Sequence, residues 1–291
     1  LDRIVAAAAR HRIALMPVLL GAPAWAALST MRPVWVPRDP AAYANALAAL
    51  VRRYGRRGTF WRGRARRMPV RTWQIWNEPS NIWYWDDSWA STYPRLLRAA
   101  YDAVKAADKR ARVVMAGINT AGGGSSRVLP SWVSTGRIYD ELDRQHLGRP
   151  FDAVAVHVYT SRVADAVRVV QETRRVLRAH GDGARPIVVS ELSWPASRGR
   201  LRDAHGRRRE FFAGTTGRGM ARRLGRGVRL LARERRRLGI AGVLWYEWSS
   251  SYRGADDAFR YSGLRRLRRR GLVDTPALRA FRRAAAALEG R

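Results

Sequence analysis

Apolar positions along the chain follow two alternating rhythms. In some stretches they recur every three to four residues, as on one face of a helix; between these lie short, nearly continuous runs rich in valine and isoleucine, the pattern of strands buried on both faces. The first rhythm predicts helices from Leu1 to Arg10, Ala41 to Tyr54, Ser88 to Ala107, Pro130 to Gln145, Ala164 to His180 and Gly219 to Leu238. The second predicts strands from Ile13 to Leu20, Val70 to Trp76, Val113 to Gly117, Phe151 to Val158, Pro186 to Glu191 and Ala241 to Trp248. Asp39-Pro40 marks the start of the second helix, a capping carboxylate followed by proline in the first turn.

Six strands alternating with helices predict an α/β chain around a parallel sheet. Nothing in the spacing breaks the series, so residues 1–291 read as one domain, with an arginine-rich segment, 252–291, packing on it. A doubly wound open sheet and a TIM-type (β/α)8 barrel lacking its first two strands both fit six repeats. The barrel is favoured: repeats are evenly spaced, no Gly-rich dinucleotide turn follows any strand, and polar or aromatic residues stand at strand after strand's C-terminal end. Such a barrel is expected to expose an edge at each terminal strand. The chain opens on Leu1-Asp2-Arg3 without an initiator Met, and the native protein is expected to begin earlier.

Composition narrows the function classes. The 291 residues carry 56 basic and 23 acidic side chains, a net charge of +33, and only Lys105 and Lys109 among the basic ones are lysine. That charge would favour polyanions, but the arginines are spread along the chain, which reads more simply as a drift of surface positions to arginine; no specific nucleic-acid partner is expected. Without cysteine there is no disulfide and no thiolate chemistry. The five histidines lack metal-ligand spacing, so no metal is expected, and no cofactor either. The most apolar stretch, from Ile13 to Leu28, is interrupted by Pro17, Gly21 and Pro23 and falls short of a membrane span. Gly122-Gly123-Gly124-Ser125-Ser126 lacks the ending of a phosphate loop and reads as a flexible turn. The arginine-rich stretch from Ser197 to Arg209 reads as a mobile lid or a solvated insertion.

Two strand ends carry acids. Trp73-Gln74-Ile75-Trp76-Asn77-Glu78-Pro79 stops abruptly because proline cannot continue a ladder, which presents Asn77 and Glu78 at the strand mouth. Beside two tryptophans, Glu78 could be desolvated enough to suit a general acid, or it could simply face solvent. Ile187-Val188-Val189-Ser190-Glu191 ends a wholly apolar strand in a carboxylate, which is costly unless that group is paired or used. Glycoside hydrolysis needs two carboxyl groups flanking one bond, one to protonate the leaving oxygen, the other to attack the anomeric carbon or activate water. His157 and Tyr159 share a strand face by period two. Trp245 closes the last strand, and Trp25, Trp83 and Trp85 lie in loops where indoles can stack on sugar rings. Glu247 is a third, weaker acid candidate, and Asp86 and Asp87 read as helix caps.

Asn77-Glu78-Pro79 on one strand, His157-x-Tyr159 two strands later, Glu191 on the next and Trp245 on the last resemble the clan A retaining glycoside hydrolases, of the family 39 and family 5 type that includes β-xylosidases and cellulase-like enzymes. The resemblance covers roughly residues 1–251, and the spacing of the two glutamates is its specific part. It implies a (β/α)8 barrel, a carbohydrate substrate, Glu78 as acid/base and Glu191 as nucleophile. It further implies that Asn77 hydrogen-bonds the sugar 2-hydroxyl, that His157 and Tyr159 tune the carboxylates, and that Trp245 lines the reacting subsite. Strands one and two of that barrel, with their polar residues, have no counterpart here. The alternative is a catalytically inactive carbohydrate-binding barrel. A secreted or cell-surface setting is expected.

Overall fold

The computed structural model describes residues 1–29, 34–119 and 129–289. The glycine-serine run from Gly122 to Ser126 lies outside them. In chain order the helices are α1 (Asp2–Arg10), α2 (Pro40–Tyr54), α3 (Trp89–Ala107), α4 (Ser131–Arg144), α5 (Asp165–Ala179), α6 (Gly217–Arg233), α7 (Arg235–Leu238) and α8 (Pro276–Glu289). The strands are β1 (Val18–Leu19), β2 (Thr72–Asn77), β3 (Arg112–Ile118), β4 (Ala153–Val158), β5 (Ile187–Leu192), β6 (Leu201–Arg202), β7 (Arg208–Arg209), β8 (Ile240–Trp245), β9 (Ser249–Ser250), β10 (Arg265–Arg268) and β11 (Gly271–Asp274). Six of them form one parallel sheet in the order β1-β2-β3-β4-β5-β8. Helices alternate with these strands along the chain, so the fold is α/β with the strand progression of a (β/α)8 barrel. Two compact units divide within β4: residues 1–118 with 133–155, and residues 119–132 with 156–291.

In the first unit, α2 begins where the sequence indicates, with the Asp39 carboxylate accepting from the N–H groups of Ala41 (2.8 Å) and Ala42 (3.2 Å) and Pro40 in the first turn. Its apolar stripe of Tyr43, Leu47, Val51 and Tyr54 is buried, as is the α3 stripe of Tyr93, Leu96, Leu97, Ala100 and Val104. The Tyr43 hydroxyl donates to the carbonyl of Leu19 at 2.8 Å and ties α2 to β1. The eight-residue strand expected from Ile13 to Leu20 is instead two residues long. Pro17 offers no N–H to a ladder, and β1 has β2 alone as a neighbour in the strand order; Pro17 accepts from Gln74 N–H at 3.0 Å and pairing proper starts only at Val18.

In the second unit, β5 pairs in parallel with β8. The helix expected from Gly219 to Leu238 is two helices, α6 ending at Arg233 with Glu234 as its C-cap, and α7 closing on Gly239. Gly239 is left-handed (φ 60°), and a Cβ there would stand 2.5 Å from the Arg174 guanidinium. That guanidinium is buried and donates to the carbonyls of Leu238 (2.7 and 3.0 Å) and Gly183 (2.7 Å), so its charge is met by backbone oxygens. Gly227 lies against Trp194 so closely that a Cβ would come within 2.6 Å of its ring, which sets how near α6 approaches the segment after β5. The arginine-rich stretch from Ser197 to Arg209 contains a short hairpin of β6 and β7, anchored by buried Leu201 and turned on Asp203, whose carboxylate accepts from the N–H groups of His205 and Arg207. Past residue 252, β10 and β11 form a second hairpin, and α8 joins a buried cluster with α6 through Met220, Leu224, Leu264, Ala277 and Leu278. No helix among the described residues is long and apolar enough to cross a membrane.

Candidate active site

Glu78 is placed by a distorted strand end. Trp76 (φ 68°) and Glu78 (φ 43°) both adopt left-handed backbone, a conformation costing about 1–3 kcal/mol per non-glycine residue unless its surroundings enforce it. The surroundings are specific. Ladder pairing runs from Ile75 opposite Met115 to Asn77 opposite Gly117 and skips Trp76. Across the gap the buried Tyr93 hydroxyl donates to the carbonyl of Ile75 (3.0 Å) and accepts from the N–H of Ala116 (2.8 Å), so two backbone groups parted by the distortion both stay bonded. Glu78 N–H then donates to the carbonyl of Gly117 at 2.9 Å. The Trp76 ring meets Trp85 at 5.1 Å and Tyr43 at 6.0 Å, edge to face, which locks the left-handed residue by packing.

Glu78 is 7% exposed, and its Oε2 accepts from the Asn81 side-chain amide at 2.8 Å. The Asn81 oxygen in turn accepts from the N–H of Trp83 at 3.1 Å, which fixes the amide's orientation. Asn77 is partly buried at the end of β2. Trp25 and Trp83 are 81% and 60% exposed, open to a stacking partner. Trp85 is not: it is buried between Trp76 and Tyr93, with its indole N–H on the Thr92 hydroxyl at 2.9 Å, and it supports the strand end instead of presenting a ring to a sugar. Asp86 accepts from the N–H of Ser88 at 2.8 Å just before α3, in a turn that leads into the helix.

In the second unit a different trio forms around Glu191. β4 is buried along its whole length, which makes His157 (0% exposed) and Tyr159, at its end, unusual in polarity. The Tyr159 hydroxyl donates to Glu191 Oε2, and His157 Nδ1 lies 3.3 Å from the same oxygen. A donor on the charged form of a carboxyl favours that form, so the phenol holds Glu191 toward the anion and a protonated imidazole would reinforce it. Tyr159 itself packs on Phe259, 4.8 Å between centroids. Trp245 is fixed by its indole N–H on the carbonyl of Ser262 (2.9 Å) and lies 6.3 Å from Trp194. Glu247 is pushed up to about 7, first by burial and then by the like charge of Asp257.

Asn77 and Glu78 thus fall in the first unit, and His157, Tyr159, Glu191 and Trp245 in the second. Asn81, Tyr93 and Phe259 escaped the sequence reading. Asn81 stands three residues after Glu78 in a Pro-Ser-Asn turn, a local signal that was available; Tyr93 and Phe259 act across long sequence separations and left none.

No family model matches the sequence, and no curated protein does. Solved structures do match in fold. A monomeric β-xylosidase from Caulobacter crescentus superimposes with a TM-score of 0.68 at 15% identity over 98% of this chain and 55% of the other. A family 39 glycoside hydrolase from Bacteroides cellulosilyticus gives 0.65 at 18% identity over 98% and 53%, and a family 51 α-L-arabinofuranosidase from Bifidobacterium longum 0.64 at 12% over 99% and 55%. The chain therefore has the fold of family 39 and family 51 glycoside hydrolases and spans about half the length of the structures it matches.

Proposed function

We propose that this chain is the core of a retaining glycoside hydrolase in which Glu78 is the acid/base and Glu191 the nucleophile. The observation that carries the reading is the set of groups on Glu191: an apolar strand delivers a carboxylate that a phenol O–H and an imidazole meet at one oxygen. A carboxylate kept anionic in a largely apolar setting is suited to attack and little suited to donating protons. Glu78, buried and bonded to a neutral amide, suits the complementary role. β2 and β5 belong to one parallel sheet, and each acid closes its strand.

In the first step Glu78 protonates the glycosidic oxygen as Glu191 attacks the anomeric carbon; the C–O bond to the leaving group breaks and a glycosyl ester forms on Glu191. In the second step Glu78, now anionic, takes a proton from water as that water attacks the anomeric carbon, and the Glu191 ester is released. Two displacements return the starting configuration. Asn77 would bond the 2-hydroxyl of the reacting sugar, His157 and Tyr159 would position the nucleophile, Trp245 would line the reacting subsite, and Trp25 and Trp83 would stack on sugars beyond it. Poly- or oligosaccharides in a secreted or cell-surface setting are the proposed substrates.

Aryl β-xylosides, β-glucosides and α-arabinofuranosides offered to the full chain, with the first-formed anomer read by NMR, test this directly. Retention is expected for at least one of them. An inverted product, or carbohydrate binding without turnover of any, would overturn the reading, the latter in favour of a binding barrel.

A further inference from the structure

The turn from Ala258 to Tyr261 sends its side chains in different directions. Ala258 and Tyr261 stand three residues apart, where the side chains of a 3₁₀ turn eclipse, and both enter the buried cluster that α6 and α8 share. Phe259 is only partly buried, and its ring meets Tyr159 at 4.8 Å, Phe211 at 5.3 Å and Tyr246 at 5.4 Å. A ring placed for burial alone would be better sunk in the cluster its neighbours enter. Phe259 serves instead the tyrosine whose hydroxyl donates to Glu191.

The turn is tied to the strand that delivers Glu191. The Phe259 N–H donates to the Asp257 carboxylate at 2.8 Å, and the Phe259 carbonyl accepts from the Ser262 N–H at 2.9 Å, which fixes the backbone that carries the ring. Past the end of β5, the Ala196 N–H donates to the Tyr261 carbonyl at 3.0 Å. The Tyr246 N–H donates to the Leu192 carbonyl at 3.0 Å, while its ring stands edge-on to Phe259. The arginine-rich hairpin buttresses the same region: the Arg202 N–H donates to the carbonyl of Ala255 at 2.7 Å, and Phe211, two residues past β7, packs on the Phe259 ring. A circuit thus runs from Glu191 along β5 to the turn, through Phe259 to Tyr159, and back to Glu191 Oε2.

Tyr159 needs this support. It lies one residue past the end of β4, and Glu191 is partly open to solvent, so water competes with the phenol for the carboxylate. His157, from the same segment, stands 6.4 Å from the Tyr159 ring; Phe259 is nearer and comes from another element. We infer that Phe259 is a positioning residue, which holds the Tyr159 hydroxyl on Glu191 and acts on the reaction through it. Its part in turnover rests on the glycosidase reading; its hold on Glu191 does not. Tyr159 and His157 meet Glu191, while Asp257 caps the turn and its charge reaches Glu247, so replacing Phe259 removes none of these charges. Losing the ring therefore acts by geometry: a freed phenol withdraws a donor and raises the carboxyl's pKa, whereas water admitted by mere loosening would lower it.

The test is Phe259→Leu in the full chain with carboxyl-labelled glutamate, the Glu191 signal being identified by its loss in Glu191→Gln and its titration followed by carbon NMR. The titration is expected to move to higher pH, by as much as in Tyr159→Phe, with no further move when the two changes are combined. Phe259→Tyr, which keeps the ring, should keep the parent titration. Where the chain turns over aryl glycosides, kcat/KM should fall about 10- to 100-fold in Phe259→Leu, through kcat more than KM. If Phe259→Leu does not fold, Phe259→Met fills the space with a flexible chain and carries the same expectation. A titration that stays put or moves to lower pH, or a shift that adds to that of Tyr159→Phe, would overturn the inference. A shifted Glu191 in a chain that turns over no glycoside keeps the positioning role and discards the glycosidase, so the two readings fail separately.

Discussion

Glu78 at the end of β2 and Glu191 at the end of β5 leave strands of similar apolar character, yet different partners receive them. Glu78 comes off a left-handed turn, is 7% exposed and accepts a neutral amide from Asn81. Glu191 continues its strand, is more open, and accepts a phenol O–H from Tyr159 with an imidazole 3.3 Å away. An amide can stay bonded to one carboxyl oxygen while a proton comes and goes on the other. A phenol that donates favours the charged form of the group it meets. The contrast teaches that the roles proposed for two identical side chains rest on their neighbours.

The largest effect expected from breaking this contrast is at Glu191. Its replacement by alanine should lower turnover by on the order of 10⁵-fold for every substrate, because no intermediate can form, and a 2-fluoro sugar should label the peptide holding Glu191 in the parent. Labelling of Glu247 instead would show the nucleophile misassigned. Glu78→Ala should cost about 10²–10⁴-fold on substrates whose leaving group needs a proton and far less on activated aryl glycosides, with azide restoring release of the sugar. If the two alanine variants lose activity alike across leaving groups, the difference in roles is gone.

Tyr159→Phe sharpens the comparison from the nucleophile's side. Without the hydroxyl the anion of Glu191 loses a donor, its pKa rises, and the acid limb of the kcat/KM profile should move to higher pH. Fixed limbs would mean that the phenol does not set the charge state. On the Glu78 side, Tyr93→Phe should cost about 1–3 kcal/mol in urea unfolding, since a buried carbonyl and a buried N–H lose their shared partner. The smallest effect is at Glu247. Its pKa of about 7 means that the folded protein holds a proton the unfolded chain has already released above the ordinary glutamate range. Stability from this source therefore falls as pH rises from that range toward 7, and Glu247→Gln should flatten the fall, raising Tm relative to the parent at pH 8 but not at pH 5. Equal differences at both pH values would rule this out.

Strands β2 to β5 and the placement of Glu78 and Glu191 at strand ends were legible because their signals are local: an apolar run, then Asn77-Glu78-Pro79 or Ser190-Glu191. The one-helix reading from Gly219 to Leu238 failed because periodicity runs on through Glu234, where the backbone does not. Trp85 misled for another reason. An indole in a loop beside an active-site strand looks available, and only the left-handed turn at Trp76 reveals that the ring is needed beneath it. Asn81 could have been suspected from its distance to Glu78 in sequence. The bridging hydroxyl of Tyr93 could not, since the gap it fills exists only once the strand has twisted.

That hydroxyl also makes the strand end visible to an optical measurement. Burial raises the phenol of Tyr93 far above the usual tyrosine range, and Tyr43, packed on the Trp76 ring, is raised for the same reason. In an alkaline titration followed by ultraviolet absorbance, accessible tyrosines among the ten should turn to phenolate first, while these two stay silent until the surrounding backbone gives way. The part of the late step that Tyr93→Phe and Tyr43→Phe remove would then report, without substrate or label, the alkalinity at which the platform beneath Glu78 comes apart.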